Sequence, residues 1–152
     1  MNNSQRLWWE QARGQCKKVR QLVIYLDNGP SNSGTRTQFL RRMIEFADWA
    51  QLTVRLVFYP PYHSKYNRIE RCWSSLERKW NGVLLNCLGV VLQCARRMTW
   101  KGRHPTVKSL EGEYPKGVRV AAKEMKLYEA RLQRSPALPK YDIIIKPKTT
   151  EM

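Results

Sequence analysis

The chain has 152 residues, of which 42% are hydrophobic, so it is of single-domain size and is not globally disordered. Its 28 Lys and Arg residues outnumber its 12 Asp and Glu residues, and the resulting charge of +16 favours a polyanionic partner, most commonly nucleic acid. No apolar stretch is long enough to span a membrane, and the first residues form no hydrophobic signal core. The four cysteines form no C-x-x-C pair and there are only two histidines, which argues against a zinc site.

The first half of the chain predicts a helix followed by a strand–helix–strand unit. Residues 4–20 show helical spacing of apolar side chains and end in a basic cluster. Residues 21–27 form the short apolar run of a buried strand, residues 35–51 predict an amphipathic helix, and residues 53–59 predict a second strand. Because the helical connection is long enough for a right-handed crossover, we expect the two strands to be parallel.

The rest of the chain predicts three helices, a turn and a final extended segment. Helices are predicted over residues 67–80, 84–98 and 120–134, the second of them mostly in the core. Residues 114–117 predict a turn, and residues 141–147 predict the extended segment.

Two acidic residues stand at the ends of regular elements. Asp27 ends the first predicted strand, and Glu70 lies in the first turn of the helix that follows the second strand. Ligand and metal sites of open α/β sheets gather at the carboxyl ends of the strands. Carboxylate oxygens suit Mg²⁺ or Mn²⁺, and a pair of such ions supports phosphodiester cleavage and strand transfer. The residues expected to contact DNA around Glu70 are Lys65, Asn67, Arg68 and Arg71.

Each acid also has a simpler explanation. The Asp-Asn-Gly sequence at residues 27–29 is common in turns. Asn67 and Glu70 together resemble a capping box, in which Asn67 caps the helix and Glu70 reaches back to its amide. The order of strand, Asp27, strand, helix and Glu70 in a strongly basic chain favours the catalytic interpretation of the pair.

Two motifs resemble those of one enzyme family. Residues 60–70, Pro-Pro-Tyr-His-Ser-Lys-Tyr-Asn-Arg-Ile-Glu, resemble the P-P-G-T-S-K-W-N-x-I-E-H motif around the last catalytic acid of DDE-type insertion-sequence transposases, specifically the Rhodopirellula-type group. The D-x-G-x-S-N pattern around that group's second acid is matched by Asp27, Gly29, Ser31 and Asn32. The similarity extends to the final segment and thus covers about residues 8–147.

The sequence departs from the family pattern within the longer motif, both in the loop before the acid and directly after it. Tyr62 and His63 stand where the family has Gly and Thr, and Arg71 stands where it has His after the acid. None of these departures removes a carboxylate.

The resemblance implies an α/β fold with a partial ribonuclease H-like (integrase-like) catalytic core and a mostly helical C-terminal extension. We expect the core over residues 1–98 and the extension of the same domain over residues 99–152. Asp27 and Glu70 correspond to the second and third catalytic acids, and both would be metal ligands. The implied reaction is metal-dependent cleavage at transposon ends and joining to target DNA in the bacterial cytoplasm, with Mg²⁺ or Mn²⁺ in a two-metal arrangement.

A DDE triad also requires a first aspartate on the first strand of the sheet. Residues 1–26 contain no aspartate, and Glu10, the only acid among them, lies on a predicted helix. We therefore expect the C-terminal half of a catalytic domain, which forms a homo-oligomer or joins a missing N-terminal half, and which binds two metals only with a complete triad. A non-catalytic basic DNA-binding remnant and a structural RNA-binding protein are the alternatives.

Overall fold

The computed structural model describes residues 3–30, 33–112 and 119–149. Ser31 and Asn32 of the aspartate motif lie outside the described residues, as does the turn predicted over residues 114–117. None of the helices in the described part of the chain has the length and apolar character that a membrane crossing requires.

The described residues contain five α-helices, a short 3-10 helix and four strands. In chain order the elements are α1 (Asn3–Ala12), β1 (Gln21–Leu26), α2 (Thr37–Ala50), β2 (Thr53–Phe58), the 3-10 helix (Ser64–Tyr66), α3 (Ile69–Trp80), α4 (Leu88–Arg97), α5 (Ala122–Glu129), β3 (Leu132–Arg134) and β4 (Asp142–Ile145). They divide into two compact units, one made of Met1–Ser64 with Pro115–Met152 and the other of Lys65–Tyr114. The chain therefore has the mixed α/β character that the sequence predicts.

The four strands form a single mixed sheet in the first unit, in the order β1-β2-β4-β3. β1 and β2 are parallel, as predicted, with Leu22 opposite Val54 and Ile24 opposite Leu56. β4 runs antiparallel to both β2 and β3. Within the described residues, β1 is thus a terminal strand of the sheet.

Helix α2 covers one face of this sheet. Its apolar residues recur at helical spacing, and the alternation of side chains along each strand brings every second strand residue to the same face. The most deeply buried side chains of this layer, each no more than 3% exposed, are Leu40, Met43, Ile44, Phe46, Ala47, Val54, Leu56, Phe58, Ile143 and Ile145. Burial of this apolar layer stabilises the unit and fixes the positions of the strand ends.

Two of the predicted helices near the ends of the first unit are too long. The helix predicted over residues 4–20 ends at Ala12, where turn hydrogen bonds such as that from Gln15 N–H to Ala12 O take over. The helix predicted over residues 120–134 ends at Glu129, because the three residues of β3 pair with β4 instead. Strand pairing here outweighs the helical propensity of the local sequence.

The expectation of a mostly helical C-terminal extension is wrong. Beside α5, the segment adds β3 and β4 to the sheet. The extended segment predicted over residues 141–147 is confirmed as β4, Asp142–Ile145. Arg55 of β2 donates to both oxygens of Asp142, from Nε to Oδ1 at 2.9 Å and from Nη2 to Oδ2 at 2.7 Å. These bonds lower the pKa of the Asp142 carboxyl, and they tie β4 to the strand that precedes the second unit.

The second unit consists of α3, α4 and a two-residue hairpin after α4. Helices α3 and α4 pack against each other. Leu76 and Met98 are its buried apolar side chains among the described residues. The expectation of a core helix over residues 84–98 is wrong: α4 begins at Leu88, a residue that is 60% exposed, and none of its residues is buried.

Candidate active site and nucleic-acid contacts

Asp27 is the first residue beyond β1. The preceding residue, Leu26, accepts a hydrogen bond of 2.8 Å from Tyr59 N–H, which ties the end of β1 to the residue that follows β2. The Asp27 side chain is exposed. Asp27 therefore lies at the carboxyl end of a parallel strand pair, the edge at which ligand sites of α/β sheets gather.

The loop that follows Asp27 is anchored by the C-terminal segment. Gly34 O accepts a hydrogen bond of 3.0 Å from Arg134 Nη1, and Arg134 is itself held by Glu129. A Cβ atom at Gly34 would lie 2.2 Å from the backbone oxygen of Lys140. The absence of a side chain at Gly34 thus allows the loop to approach the turn before β4, and this contact fixes the loop beyond the acid.

Glu70 lies in the first turn of α3. Its N–H donates to Asn67 O at 3.0 Å, and Asn67 Oδ1 lies 3.5 Å from Ile69 N, a long contact to the start of the helix. Within the described residues the Glu70 carboxylate is half-buried and makes no hydrogen bond or ion pair, so the reciprocal half of the predicted capping box does not form. The carboxylate is therefore not used in capping.

Asp27 and Glu70 offer the type of ligand that a hard divalent ion binds, but two carboxylates are too few for a complete site. Asp27 belongs to the first unit and Glu70 to the second. Carboxylate oxygens are ligands of the kind that Mg²⁺ and Mn²⁺ take. The described residues hold no group of three or more His, Cys, Asp or Glu side chains that could bind a metal ion, and Glu10 is an exposed residue of α1.

The four residues predicted to contact DNA lie together. Lys65, Asn67, Arg68 and Arg71 line one cavity of about 360 Å³ in the second unit. Tyr66, Trp100 and Lys101 complete its lining, and we call it the Trp100 cavity. The lining contains four cationic side chains and no carboxylate. Because none of these cations forms an ion pair within the described residues, the cavity favours an anionic ligand.

Trp100 and Lys101 are not among the site residues predicted from the sequence. Both follow α4 and are remote in sequence from the motif around Glu70, yet they line the same cavity as Lys65 and Arg71. The signal that could have found them is the aromatic–basic run Trp-Lys-Gly-Arg at residues 100–103, which combines a stacking surface with charge.

A larger cavity, of about 580 Å³, lies along the C-terminal part of α3. It is lined by Ser74, Glu77, Arg78, Trp80 and Asn81. None of these is a predicted site residue, and its one acid and one cation leave it without net charge. It therefore offers no comparable site for an anionic ligand.

The loop before α3 keeps a backbone conformation typical of glycine at Tyr62. Tyr62 has a φ of 65° and a side chain that is 98% exposed. His63 N–H donates to Pro60 O at 3.1 Å, which closes the turn around it. Since the matching family position is Gly, the replacement by Tyr retains a left-handed backbone that Gly adopts at no steric cost.

Sequence comparison identifies one family. The family described as Rhodopirellula transposase DDE domain matches residues 2–147, nearly the whole chain. Comparison with curated proteins gives no significant match. Comparison with solved structures also gives none.

Proposed function

Because the chain belongs to the Rhodopirellula transposase DDE domain family, we propose that it contributes Asp27 and Glu70, as metal-binding acids, to the metal-dependent cleavage and strand transfer of DNA transposition. Membership implies DNA transposition, a DNA substrate and the use of divalent metal ions in general. The observation that carries the finer proposal is that Asp27 directly follows β1 and Glu70 opens α3, the order in which the family motifs place their last two acids.

The two carboxylates would hold a divalent ion through oxygen ligands. When bound, Mg²⁺ or Mn²⁺ supplies activation of water or a 3′-hydroxyl and stabilisation of the leaving oxygen. The chain's own residues would orient the substrate: the cations Lys65, Arg68 and Arg71 bind phosphates on either side of the reacting bond, while Asn67 supplies a neutral polar contact.

We also propose that residues 1–98 are part of a ribonuclease H-like core, with residues 99–152 as an extension of the same domain. The parallel pair β1–β2 joined through α2 supports this assignment. The terminal position of β1 leaves its outer backbone groups for a further strand, supplied by a second copy or by an N-terminal half. Sedimentation velocity at micromolar concentration tests whether β1 pairs with a further strand from another chain. A compact monomer in that experiment, together with cooperative unfolding in a denaturant titration, contradicts it.

Nicking of supercoiled plasmid DNA in Mn²⁺ tests the catalytic proposal. We expect the chain to convert the plasmid to the open circle, and we expect Asp27→Asn and Glu70→Gln each to reduce nicking to background. Glu77→Gln is the matched control, because Glu77 is an exposed acid of the same helix. Nicking that persists in Asp27→Asn or Glu70→Gln, or that falls equally in Glu77→Gln, contradicts the assignment of the acids.

A non-catalytic DNA-binding remnant is the second candidate function. It is favoured by the finding that the described residues hold no group of three metal-binding side chains, together with the cationic lining of the Trp100 cavity. It predicts DNA binding that is unchanged in the Asp27→Asn and Glu70→Gln variants, and no nicking with any divalent ion.

A further inference from the structure

Trp100 and Lys101 line the Trp100 cavity but have no part in the reaction proposed above. We propose that this cavity captures one unpaired nucleotide of the DNA substrate, with the base stacked on Trp100 and its phosphates bound by the surrounding cations. This inference rests on the proposed DNA substrate and adds the form of DNA that the chain prefers, namely an end or junction with an unpaired base.

The cations of the cavity supply the phosphate contacts. Lys65, Arg68 and Arg71 come from the 3-10 helix and the start of α3, and Lys101 comes from the hairpin after α4. Since no carboxylate lines the cavity, nothing within it neutralises these charges. A phosphodiester backbone carries one negative charge per nucleotide, so a short stretch of strand matches the cluster.

The hairpin holds Trp100 in place. Trp100 N–H donates to Arg103 O at 2.8 Å, and Arg103 N–H donates to Trp100 O at 3.1 Å. Lys101 and Gly102 between them have φ values of 50° and 74°, the pair of left-handed residues that a tight two-residue hairpin requires. His104 Nδ1 lies 3.0 Å from Met98 O, so its N–H donates to the end of α4 and fastens the hairpin there.

Lys101 occupies a position that favours Gly or Asn. A lysine with positive φ is strained, and such strain persists where the surrounding structure imposes it, commonly at binding sites. Its Nζ atom lies 5.9 Å from the centroid of the Trp100 ring. The hairpin therefore places the Lys101 cation over one face of the Trp100 ring, and single-stranded nucleic acid sites combine cations and aromatic rings in this way.

The dimensions and chemistry of the cavity favour an unpaired nucleotide over a duplex. A base inside a duplex is stacked on both faces and offers only its edges in the grooves, so it has no face for Trp100. An unpaired base exposes its π-face, and stacking of this kind tolerates any base. A volume of about 360 Å³ is that of a small-molecule pocket and accommodates one residue of a strand.

Fluorescence anisotropy with labelled DNA in EDTA tests the proposal without cleavage. The probes are a blunt duplex, the same duplex with a short single-stranded overhang, and the single strand. We expect Trp100→Ala to weaken binding of the overhang and the single strand by roughly 5- to 100-fold, the loss of one base–aromatic stack, and to leave blunt-duplex binding unchanged. Trp100→Phe should restore most of the loss, because it keeps a ring. Trp73→Ala is the control, since Trp73 is a 47%-exposed tryptophan of α3 that does not line the cavity.

The outcomes separate this inference from the proposed function. DNA binding without a preference for unpaired nucleotides, or an equal effect of Trp100→Ala on all three probes, overturns the inference and leaves the DNA substrate in place. Failure of every DNA probe to bind the folded chain overturns both. Equal losses in Trp73→Ala and Trp100→Ala also overturn the assignment of the stacking surface.

Discussion

Arg131 binds Asp48 through two hydrogen bonds of 2.7 and 2.6 Å, and this pair fastens the C-terminal segment to α2. Lys148 N–H donates to the same carboxylate at 2.8 Å, and Arg131 Nη2 also donates to Lys146 O at 2.8 Å. Burial alone raises the pKa of the Asp48 carboxyl, but the hydrogen bonds from Arg131 and Lys148 outweigh it, so the pKa is lowered. The pair thus stabilises the segment that carries β3 and β4.

We expect Asp48→Asn to lower the free energy of unfolding at neutral pH by about 1–2 kcal/mol, because a partly exposed, charge-assisted pair is replaced by a weaker neutral contact. The folded-state pKa lies below the unfolded value, so the stabilisation is present above the ordinary pKa of Asp and is lost as the pH falls through the folded-state value. Urea unfolding of both proteins at about pH 7 and about pH 3 measures this. A difference of equal size at both pH values contradicts it.

Gly34→Ala should destabilise the first unit by about 1–3 kcal/mol, because a Cβ atom there meets the backbone oxygen of Lys140 at 2.2 Å, a group that cannot turn aside. Gly14→Ala is the matched control, since a Cβ at Gly14 meets nothing within 4 Å. Thermal unfolding should show a lowered melting temperature for Gly34→Ala and an unchanged one for Gly14→Ala. Equal melting temperatures would contradict the close approach of Gly34 to the backbone oxygen of Lys140.

Tyr62→Gly should stabilise the loop before α3 relative to Tyr62→Ala by about 0.5–1 kcal/mol, because Gly adopts the φ of 65° without strain and Ala does not. Comparison with Ala removes the effect of losing the ring, which is 98% exposed. Chemical unfolding of both variants provides the measurement. Greater stability of the Ala variant would show that Tyr62 does not hold this backbone conformation in solution.

The double variant Arg68→Gln/Arg71→Gln should weaken binding to duplex DNA and reduce the slope of log affinity against log salt by about 1–2, the release of one to two counterions. Lys123→Gln/Lys126→Gln removes the same charge from two exposed residues of α5 and should change the slope less. Titrations at several salt concentrations distinguish the two. An equal reduction in both double variants would indicate attraction by net charge alone.

The parts of the fold that the sequence predicted correctly are those with strong local periodicity. β1, α2 and β2 each show a continuous apolar or amphipathic pattern, and their parallel pairing follows from the length of the crossover. β3 has only three residues, too few for a pattern of its own, and it is a strand because β4 pairs with it. The apolar run of α4 predicts a core helix, but hydrophobicity alone does not indicate which helix packs against the sheet.

The candidate site was predictable where its residues share one stretch of chain. Lys65, Asn67, Arg68 and Arg71 lie within residues 65–71, so their closeness in the sequence predicts that they share one site, and they line one cavity. Trp100 and Lys101 could not be assigned in the same way, because their place in that cavity depends on how the hairpin after α4 meets α3. For Asp27 and Glu70, the order of strand, acid, strand, helix and acid favours a catalytic pair over a turn and a cap, and the family resemblance implies that they are the second and third catalytic acids. Both roles stay predictions.

Metal-directed cleavage of the polypeptide tests most directly whether Asp27 and Glu70 bind the same ion. The chain is loaded with Fe²⁺ in place of Mg²⁺, treated with ascorbate and peroxide, and the cuts are mapped by mass spectrometry. If the two residues share an ion, we expect cuts near both of them, and excess Mg²⁺ should suppress these cuts together. Either Asp27→Asn or Glu70→Gln alone should weaken the cuts at both places. Cuts near only one of the two residues, or cuts near residue 70 that survive Asp27→Asn unchanged, would contradict a shared metal site.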